Sequence, residues 1–292
     1  MKIAQNCHFE IGSTHDICQD YAINGVLNFG SFLETDLNYY FGIVCDGCSS
    51  SKYVDIGARI LALAARKVIA NLAHEKIVEF ISEDKAFDLY RLIDAELHNS
   101  CIDDFIFANN SLDATLLIYL SDGVIARVYT YGDGVIIHRT LEKATIINLE
   151  YETNAPYYIS YEFDGDRRNG YFSEYGNGKF TINNKIINLA TREIEKDSNT
   201  ECSFVHRASF LFDLCEKSSL SIYSDGLNSF ITNSRLLNND EKNDYYIKYS
   251  NYPIANGDVV IKNFKFNGKS NMKLGFAHMD DLSCAAIVRG VE

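Results

Sequence analysis

The sequence predicts an α+β protein in which two layers of mostly antiparallel sheet are flanked by helices. Three observations carry that expectation. Strand-length apolar runs rich in aromatic residues recur from residue 21 to the C-terminal end, several of them broken by Asp-Gly. Helical apolar spacing is confined to a block after residue 53 and to a mixed stretch over 227–270. The resulting order is strands, two helices, many strands, helices, strand, which suits segregated layers better than alternating βαβ units.

In order, 21–29 (YAINGVLNF) and 37–45 (LNYYFGIVC) read as strands. A helix follows, because Ile56, Ile60, Ala64 and Val68 recur at i, i+4, with Arg66 and Lys67 beginning a polar edge. A second helix is expected from about Glu83 to Phe105, with Ser82 as its N-cap and Leu89, Ile93 and Leu97 as its apolar stripe. The run ATLLIYLSDGVIARVYTYGDGVIIHRT reads as three strands separated by Asp-Gly, a strong hairpin signal. Tyrosine-rich strands punctuated by Asn and Gly continue to about residue 190. SLSIYSDG carries a strand up to Asp225, 227–270 holds one or two helices, and LSCAAIVRG is the last strand. The opening stretch MKIAQNCHFEIGSTHD is polar and is assigned no element.

The chain has 292 residues, 47% hydrophobic and 13% aromatic, with two prolines, enough to build a sizeable core. No repeat or proline-rich linker divides it, so a single domain over 1–292 is expected. The net charge of −13 argues against nucleic acid as a partner, since phosphate backbones are held by Lys and Arg. An anionic substrate must therefore be attracted locally, by a metal or a few placed cations. Eight scattered cysteines, no secretory leader and no apolar run near the roughly 18 residues of a membrane span predict a reduced, cytoplasmic protein with no membrane partner. Cys45 and Cys48 form a C-x-x-C without a second pair, so they read either as buried small hydrophobes or as a metal or redox pair.

Asp-Gly follows an apolar run at Asp46, Asp122, Asp133 and Asp225. Asp122 and Asp133 lead directly into new strands, VIARVY and VIIHR, and are expected to be hairpin turns. Asp46 leads instead into a polar bend and a helix, and Asp225 into LNSFITNS, which offers no return strand. Two further acidic sites flank strands: Asp280 with Asp281 before the last one, and Asp20 before YAINGV. Carboxylates gathered at strand ends would repel one another, and a hard divalent cation bound through oxygen, Mg²⁺ or Mn²⁺, would remove that cost. Separate, solvated turn acids are the alternative.

The ordered set GSTHDICQDYA, GIVCDGCSSSKYVDIGAR, LDATLLIYL, VYTYGDGVIIHR, SIYSDGLNSF and HMDDLSCAAIVR resembles the metal-dependent protein phosphatases of type 2C, and specifically their bacterial-type branch. The resemblance runs from about residue 12 to 289. It implies an α/β/β/α sandwich with the active site in a cleft at one edge of the two sheets. It further implies that Asp46 bridges two metal ions, that the Gly47 carbonyl binds one of them, and that Asp225 and Asp280 bind the second. Asp20 would orient metal-bound water. The reaction implied is hydrolysis of phosphoserine and phosphothreonine in proteins by a metal-activated water, without a covalent enzyme intermediate.

Departures from the family pattern set further expectations. His15 stands where many members place a phosphate-gripping arginine, and when protonated it would bind phosphate. Gln19 replaces a glutamate, and Cys48 replaces the histidine that some members are thought to use as general acid; His278 is a candidate substitute. Asp113, where the family usually has a small residue, could assist a third metal together with Asp225. Asp281 replaces an asparagine and adds negative charge beside Asp280, while Asp133 is expected to support a turn. The runner-up function is a catalytically weak binding or regulatory module on the same fold that recognises phosphorylated partners. A nuclease-like metallohydrolase is disfavoured by the acidic composition.

Overall fold

The computed structural model describes residues 2–30, 37–100, 110–153, 155–176, 179–203, 207–232, 235–252, 258–274 and 276–290. Strand β1 (Ile3–Glu10) is followed by β2 (Tyr21–Asn28) and β3 (Asn38–Gly47). Three helices come next: α1 (Val54–Ala70), α2 (His74–Ser82) and α3 (Ala86–Asn99). Then come β4 (Ala114–Ser121), β5 (Ile125–Tyr131), β6 (Gly134–Arg139) and β7 (Lys143–Tyr151). A 3₁₀ turn (Ile159–Glu162) and α4 (Gly165–Tyr175) lead into β8 (Lys179–Asn188), β9 (Ile194–Ser203), β10 (Arg207–Asp213) and β11 (Ser218–Tyr223). A second 3₁₀ turn (Asp225–Asn228) opens the last part: β12 (Phe230–Thr232), β13 (Arg235–Leu236), α5 (Asn239–Tyr249), α6 (Val259–Leu274), β14 (Phe276–His278) and β15 (Leu282–Arg289).

The strands form a seven-stranded sheet, ordered β1-β15-β11-β6-β7-β8-β9, and a five-stranded sheet, ordered β10-β5-β4-β3-β2, with β13-β12-β14 as a small third sheet. Side-chain alternation explains the stacking, because each strand of the two main sheets offers one residue inward for every residue outward. Inward-facing Val44, Leu117, Tyr119 and Val128 of the five-stranded sheet meet Ile136, Ile222, Ala285 and Ile287 of the other. On the outer face of the five-stranded sheet, Phe41, Ile43, Leu116 and Ile118 pack against Leu61, Ala65, Leu89 and Ile93 of the first helices. Val135, Ile137, Cys284 and Ala286 of the seven-stranded sheet pack against Tyr245, Tyr249, Val260 and Phe264 of α5 and α6. With a helix layer on each outer face, the arrangement is the expected α/β/β/α sandwich.

Several expectations about elements are corrected. The polar opening stretch holds β1, an edge strand paired in register with β15, and its residues are only half-buried, which is why no apolar run marks it. Ala64 and Val68 of α1 are buried and Ile60 packs against the core as expected, but the buried face is broader, adding Ala58, Leu61, Ala62, Ala65 and Ile69, whereas Ile56 is exposed. Small residues win there because the helix lies close: a Cβ on Gly57 would stand 1.5 Å from the Ser111 carbonyl oxygen. Ser82 ends α2 instead of capping a helix over 83–105, and α3 starts at Ala86; residues 101–105 of that expectation lie outside the described residues. Arg127 fixes the break, its guanidinium donating to the Ile81 and Ser82 carbonyls at 2.9 Å each, where helix α2 leaves acceptors unpaired. Strands were expected to continue past 151, but 159–175 is mostly helical; its rings Tyr161, Tyr171 and Phe172 pack around that of Tyr157.

The largest topological correction concerns Asp133. Asp122 turns a hairpin between β4 and β5, as expected. Asp133-Gly134 does not, because β5 belongs to the five-stranded sheet and β6 to the seven-stranded one. The chain crosses between layers there, and φ of +114° at Gly132 and +141° at Gly134 makes the crossing possible.

Candidate active site

The two sheets meet at one edge, where strand ends and the crossover deliver acids. Asp46 sits next to last in β3, its backbone paired with Thr115 of β4. Asp225 begins the 3₁₀ turn just after β11, and Asp280 lies just before β15, the neighbour of β11. Together with Asp133 from the crossover they line one cleft of about 120 Å³, whose other walls are Gly47, Cys48, Ser49, Thr115, Pro156 and Tyr158. Three acids expected to converge therefore do share a cleft, and a fourth joins them. Asp133 was read as a turn because Asp-Gly has the same local chemistry in a hairpin and in a crossover. The flanking Gly132 was the available signal, since a two-residue turn does not need a third small residue.

Behind the cleft, Asp20 is 1% exposed and lies beside Asp46, Ser224 and Ser283. Burial pushes its carboxyl up to about 7, against contacts with those neighbours that act the other way. Burial raises Asp46 well above the usual range, and the charges of Asp20 and Asp225 raise it further. Asp225 and Asp133 are raised too, each by burial first; Asp280 adds to both, and Asp225 acts on Asp133. Both Asp20 oxygens, Asp225 Oδ1 and Gln19 Oε1 are buried without a hydrogen-bond partner. Crowded, unsatisfied carboxylates of this kind are unfavourable alone and are stabilised by a cation. As the side chains stand, no group of three or more His, Cys, Asp or Glu among the described residues is arranged to hold a metal ion. The acids line a common space without closing a cage around it. The orphaned, all-oxygen donor set fits a hard divalent cation and not zinc.

Backbone contacts explain why these segments come together. A Cβ on Gly226 would stand 1.7 Å from the Asp281 carbonyl oxygen, so only glycine lets the Asp225 turn approach the last strand. Ser224 and Ser283 lock the same junction, the Ser224 amide donating to the Ser283 carbonyl (3.1 Å) and the Ser283 amide to Ser224 Oγ (2.9 Å). Asp281 is 1% exposed and accepts from the Gly12 amide (2.7 Å) and the Gln19 amide (2.5 Å). Its carboxylate thus ties the loop leading to Asp20 onto the last strand.

The remaining candidates are placed as follows. His15 points its ring at carboxylates: Nδ1 is 3.1 Å from Asp281 Oδ2 and Nε2 3.6 Å from Asp280 Oδ1. His278 lies 3.1 Å from Glu10 Oε1 and 2.8 Å from the Asp280 carbonyl, and packs on Phe230. Burial alone would lower it, but those two contacts raise it above an ordinary histidine, and they hold the ring in the junction. Cys45 is buried in the core whereas Cys48 lines the cleft, so the C-x-x-C does not form a paired site. Gly47 packs tightly: a Cβ there would lie 2.9 Å from the Gln19 carbonyl oxygen.

Asp113 is a correction. Its oxygens are taken by Arg167 Nη2 (2.8 and 3.1 Å), Ser51 Oγ (2.6 Å) and Ser160 Oγ (2.5 Å), and it does not line the cleft. A carboxylate already paired with a guanidinium and two hydroxyls has no lone pair directed at a cation, which argues against the third-metal role. Its function is mechanical: it fastens α4 and the 3₁₀ turn before it, the segment that brings Pro156 and Tyr158 to the cleft. Sequence reasoning missed Arg167 because it lies 54 residues away.

Comparison with known proteins agrees with this geometry. Residues 13–157 match the family model described as protein phosphatase 2C. No curated protein sequence matches the chain. Among solved structures, the fold is similar to that of the S. agalactiae serine/threonine phosphatase (14% identity, TM-score 0.53, 99% of each chain covered). It is also similar to PppA, described as a key regulatory component of T6SS in Pseudomonas aeruginosa (12% identity, TM-score 0.53, 100% of this chain and 99% of that one). A third similar structure is the catalytic domain of the serine threonine protein phosphatase PstP in complex with two manganese ions (11% identity, TM-score 0.52, 98% and 97% covered). At such identities the structural likeness is one of fold.

Proposed function

Because this chain belongs to the protein phosphatase 2C family, whose members are metal-dependent protein phosphatases, we propose that its acidic cleft is the catalytic site for hydrolysis of phosphoserine and phosphothreonine in proteins. The observation that carries the reading is that Asp46, Asp225 and Asp280, from three distant segments, line one cleft, with Asp225 Oδ1 buried and unpartnered and both oxygens of Asp20 likewise unpartnered behind it. Asp46, the Gly47 carbonyl, Asp225 and Asp280 would hold two ions, Mg²⁺ or Mn²⁺, and Asp133 adds a further carboxylate on the same wall. When bound, such ions neutralise charge on phosphoryl oxygens and acidify water. Asp20, raised by burial and facing Asp46, is suited to keep a proton or accept one beside the reacting groups. His15 is better placed to orient Asp280 and Asp281 than to grip phosphate, since both ring nitrogens face those carboxylates. Tyr158 and Pro156 narrow the cleft from the α4 side and limit the access of bulk water.

A single domain over 1–292 is the accompanying proposal, supported by helices on both outer faces of one pair of stacked sheets. A cytoplasmic setting without membrane or nucleic-acid partners is also proposed, on the seven unpaired cysteines among the described residues and the net charge. No helix among the described residues is long and apolar enough to cross a membrane.

The test is hydrolysis of a phosphothreonine peptide and an aryl phosphate with Mn²⁺, then with EDTA. Turnover that requires the ion is expected, and Asp46→Asn and Asp225→Asn should each reduce it at least ~100-fold. Near-normal rates in either variant would show that the ligands are misassigned. Bound metal without turnover would favour the phosphoprotein-binding module.

A further inference from the structure

A second cavity, of about 660 Å³, lies on the helix layer over the seven-stranded sheet. Strand β6 separates the two sites: it leaves Asp133 at the acidic cleft and ends at Arg139, which lines the second cavity. Arg192 enters from the β8–β9 turn, Lys248 from α5, and Lys262 from α6. In a chain with 40 acidic against 27 basic residues, four cations around one space are a local inversion of charge. Among the described residues of the lining the only carboxylate is that of Asp244, 3.8 Å from Arg192, with both side chains more than half exposed, a pairing worth little.

The positive charge of Arg139 and Lys248 is partly desolvated. Arg139 is half-buried, donates Nη1 to the Ile247 carbonyl at 2.9 Å, and has no ion-pair carboxylate among the described residues. Burial lowers its pKa first, and repulsion from Arg192 lowers it further. Lys248 donates to Asn271 Oδ1 at 2.8 Å, lies over the Tyr245 ring, and is likewise lowered by burial. Two guanidinium groups that repel each other across a cavity form a pocket that an anion would stabilise, and paired planar forks suit phosphate oxygens. At the rim, the Phe266 ring is 74% exposed, an unusual exposure for a large apolar side chain beside a cavity. Asn263 and Asn267 also line the cavity, with the Asn267 amide donating to Asn263 Oδ1 (2.6 Å) and the Asn263 amide to the Asn251 carbonyl (2.8 Å).

We propose that this cavity binds a nucleoside phosphate, its phosphates between Arg139 and Arg192 and its base stacked on Phe266. The volume lies within the range of ligand pockets, roughly 300–1,000 Å³. An aromatic face on the rim supplies the sequence-tolerant stacking that bases use. The site is separate from the acidic cleft and does not depend on the metal.

The experiment is calorimetric titration of the full chain with ADP, and separately with pyrophosphate, in EDTA so that the acidic cleft holds no cation. ADP should bind at one site per chain. Arg192→Glu should weaken it at least ~10-fold, while the Mn²⁺-dependent hydrolysis of an aryl phosphate stays unchanged and shows that the fold is intact. Phe266→Ala should weaken ADP several-fold and leave pyrophosphate unaffected. No binding of ADP, or binding indifferent to Arg192→Glu, overturns the site. ADP and pyrophosphate binding equally, with Phe266→Ala neutral for both, overturns its assignment to a nucleoside.

Discussion

Removing the Arg167 guanidinium should loosen the segment that walls the acidic cleft. In the folded chain Arg167 Nη2 contacts both Asp113 oxygens, at 2.8 and 3.1 Å, with the Asp113 side chain 4% exposed and that of Arg167 23% exposed. At 2.8 Å and an effective dielectric of about 20, the Coulomb attraction has a ceiling near 6 kcal/mol. Arg167 keeps some water and gives up about 2 kcal/mol of side-chain entropy on ordering, which brings the expected net loss in Arg167→Ala to about 3 kcal/mol. The remaining donors, Ser51 and Ser160, do not replace the lost charge. Urea unfolding of the wild type, Arg167→Ala, Asp113→Asn and the double variant gives a thermodynamic cycle, in which a coupling of about 2–3 kcal/mol is expected. Arg167→Lys should recover less than half of the loss, because an ammonium keeps a charge near the carboxylate but loses the planar stacking of the guanidinium on the Tyr161 ring, 4.7 Å from its centroid. Losses that simply add, to within about 0.5 kcal/mol, would refute the latch.

Stability of the metal-free chain should fall as pH rises. The Asp20 carboxyl is raised to about 7 in the folded state against 3.8 for an ordinary aspartate. Between those values the folded chain binds more protons than the unfolded one, so stability is greatest below about pH 4 for this group and is lost through pH 7, by at most about 4 kcal/mol. Mn²⁺ takes over the proton's task, so its gain in melting temperature should be larger at pH 8 than at pH 5; thermal unfolding with Mn²⁺ and with EDTA measures both. Gly57→Ala, which raises helix propensity by about 1 kcal/mol, should nevertheless destabilise by about 1–3 kcal/mol, since its Cβ would meet the Ser111 oxygen at 1.5 Å. A raised melting temperature in that variant would contradict the close approach of α1.

The sandwich and most of the acidic cleft were legible in the sequence for a local reason. Apolar runs ending in Asp46 and Asp225, without a return strand, carry their meaning within a dozen residues. What failed depended on partners far along the chain. Asp133 looked like a hairpin because φ preferences say how a chain turns but not which sheet receives it. Asp113 looked like a ligand until Arg167 and Ser160 arrived from a later segment. Strand β1 was invisible because an edge strand that is half-buried needs no apolar run; β15 supplies its register. Asp281 looked like surplus charge, and only its amide donors at Gly12 and Gln19 reveal it as a clasp.

The passage of the chain from one sheet to the other at Asp133 has a mechanical consequence. Asp46 is carried by one layer and Asp225 by the other, and in the middle of the sandwich those layers meet largely through aliphatic and aromatic side chains, whose packing is non-directional. A divalent ion gripped from both sides would act as a rivet through the seam. Amide exchange in β3 and β11 should then slow together when the ion binds, and the sandwich should part first along this edge when the ion is withdrawn.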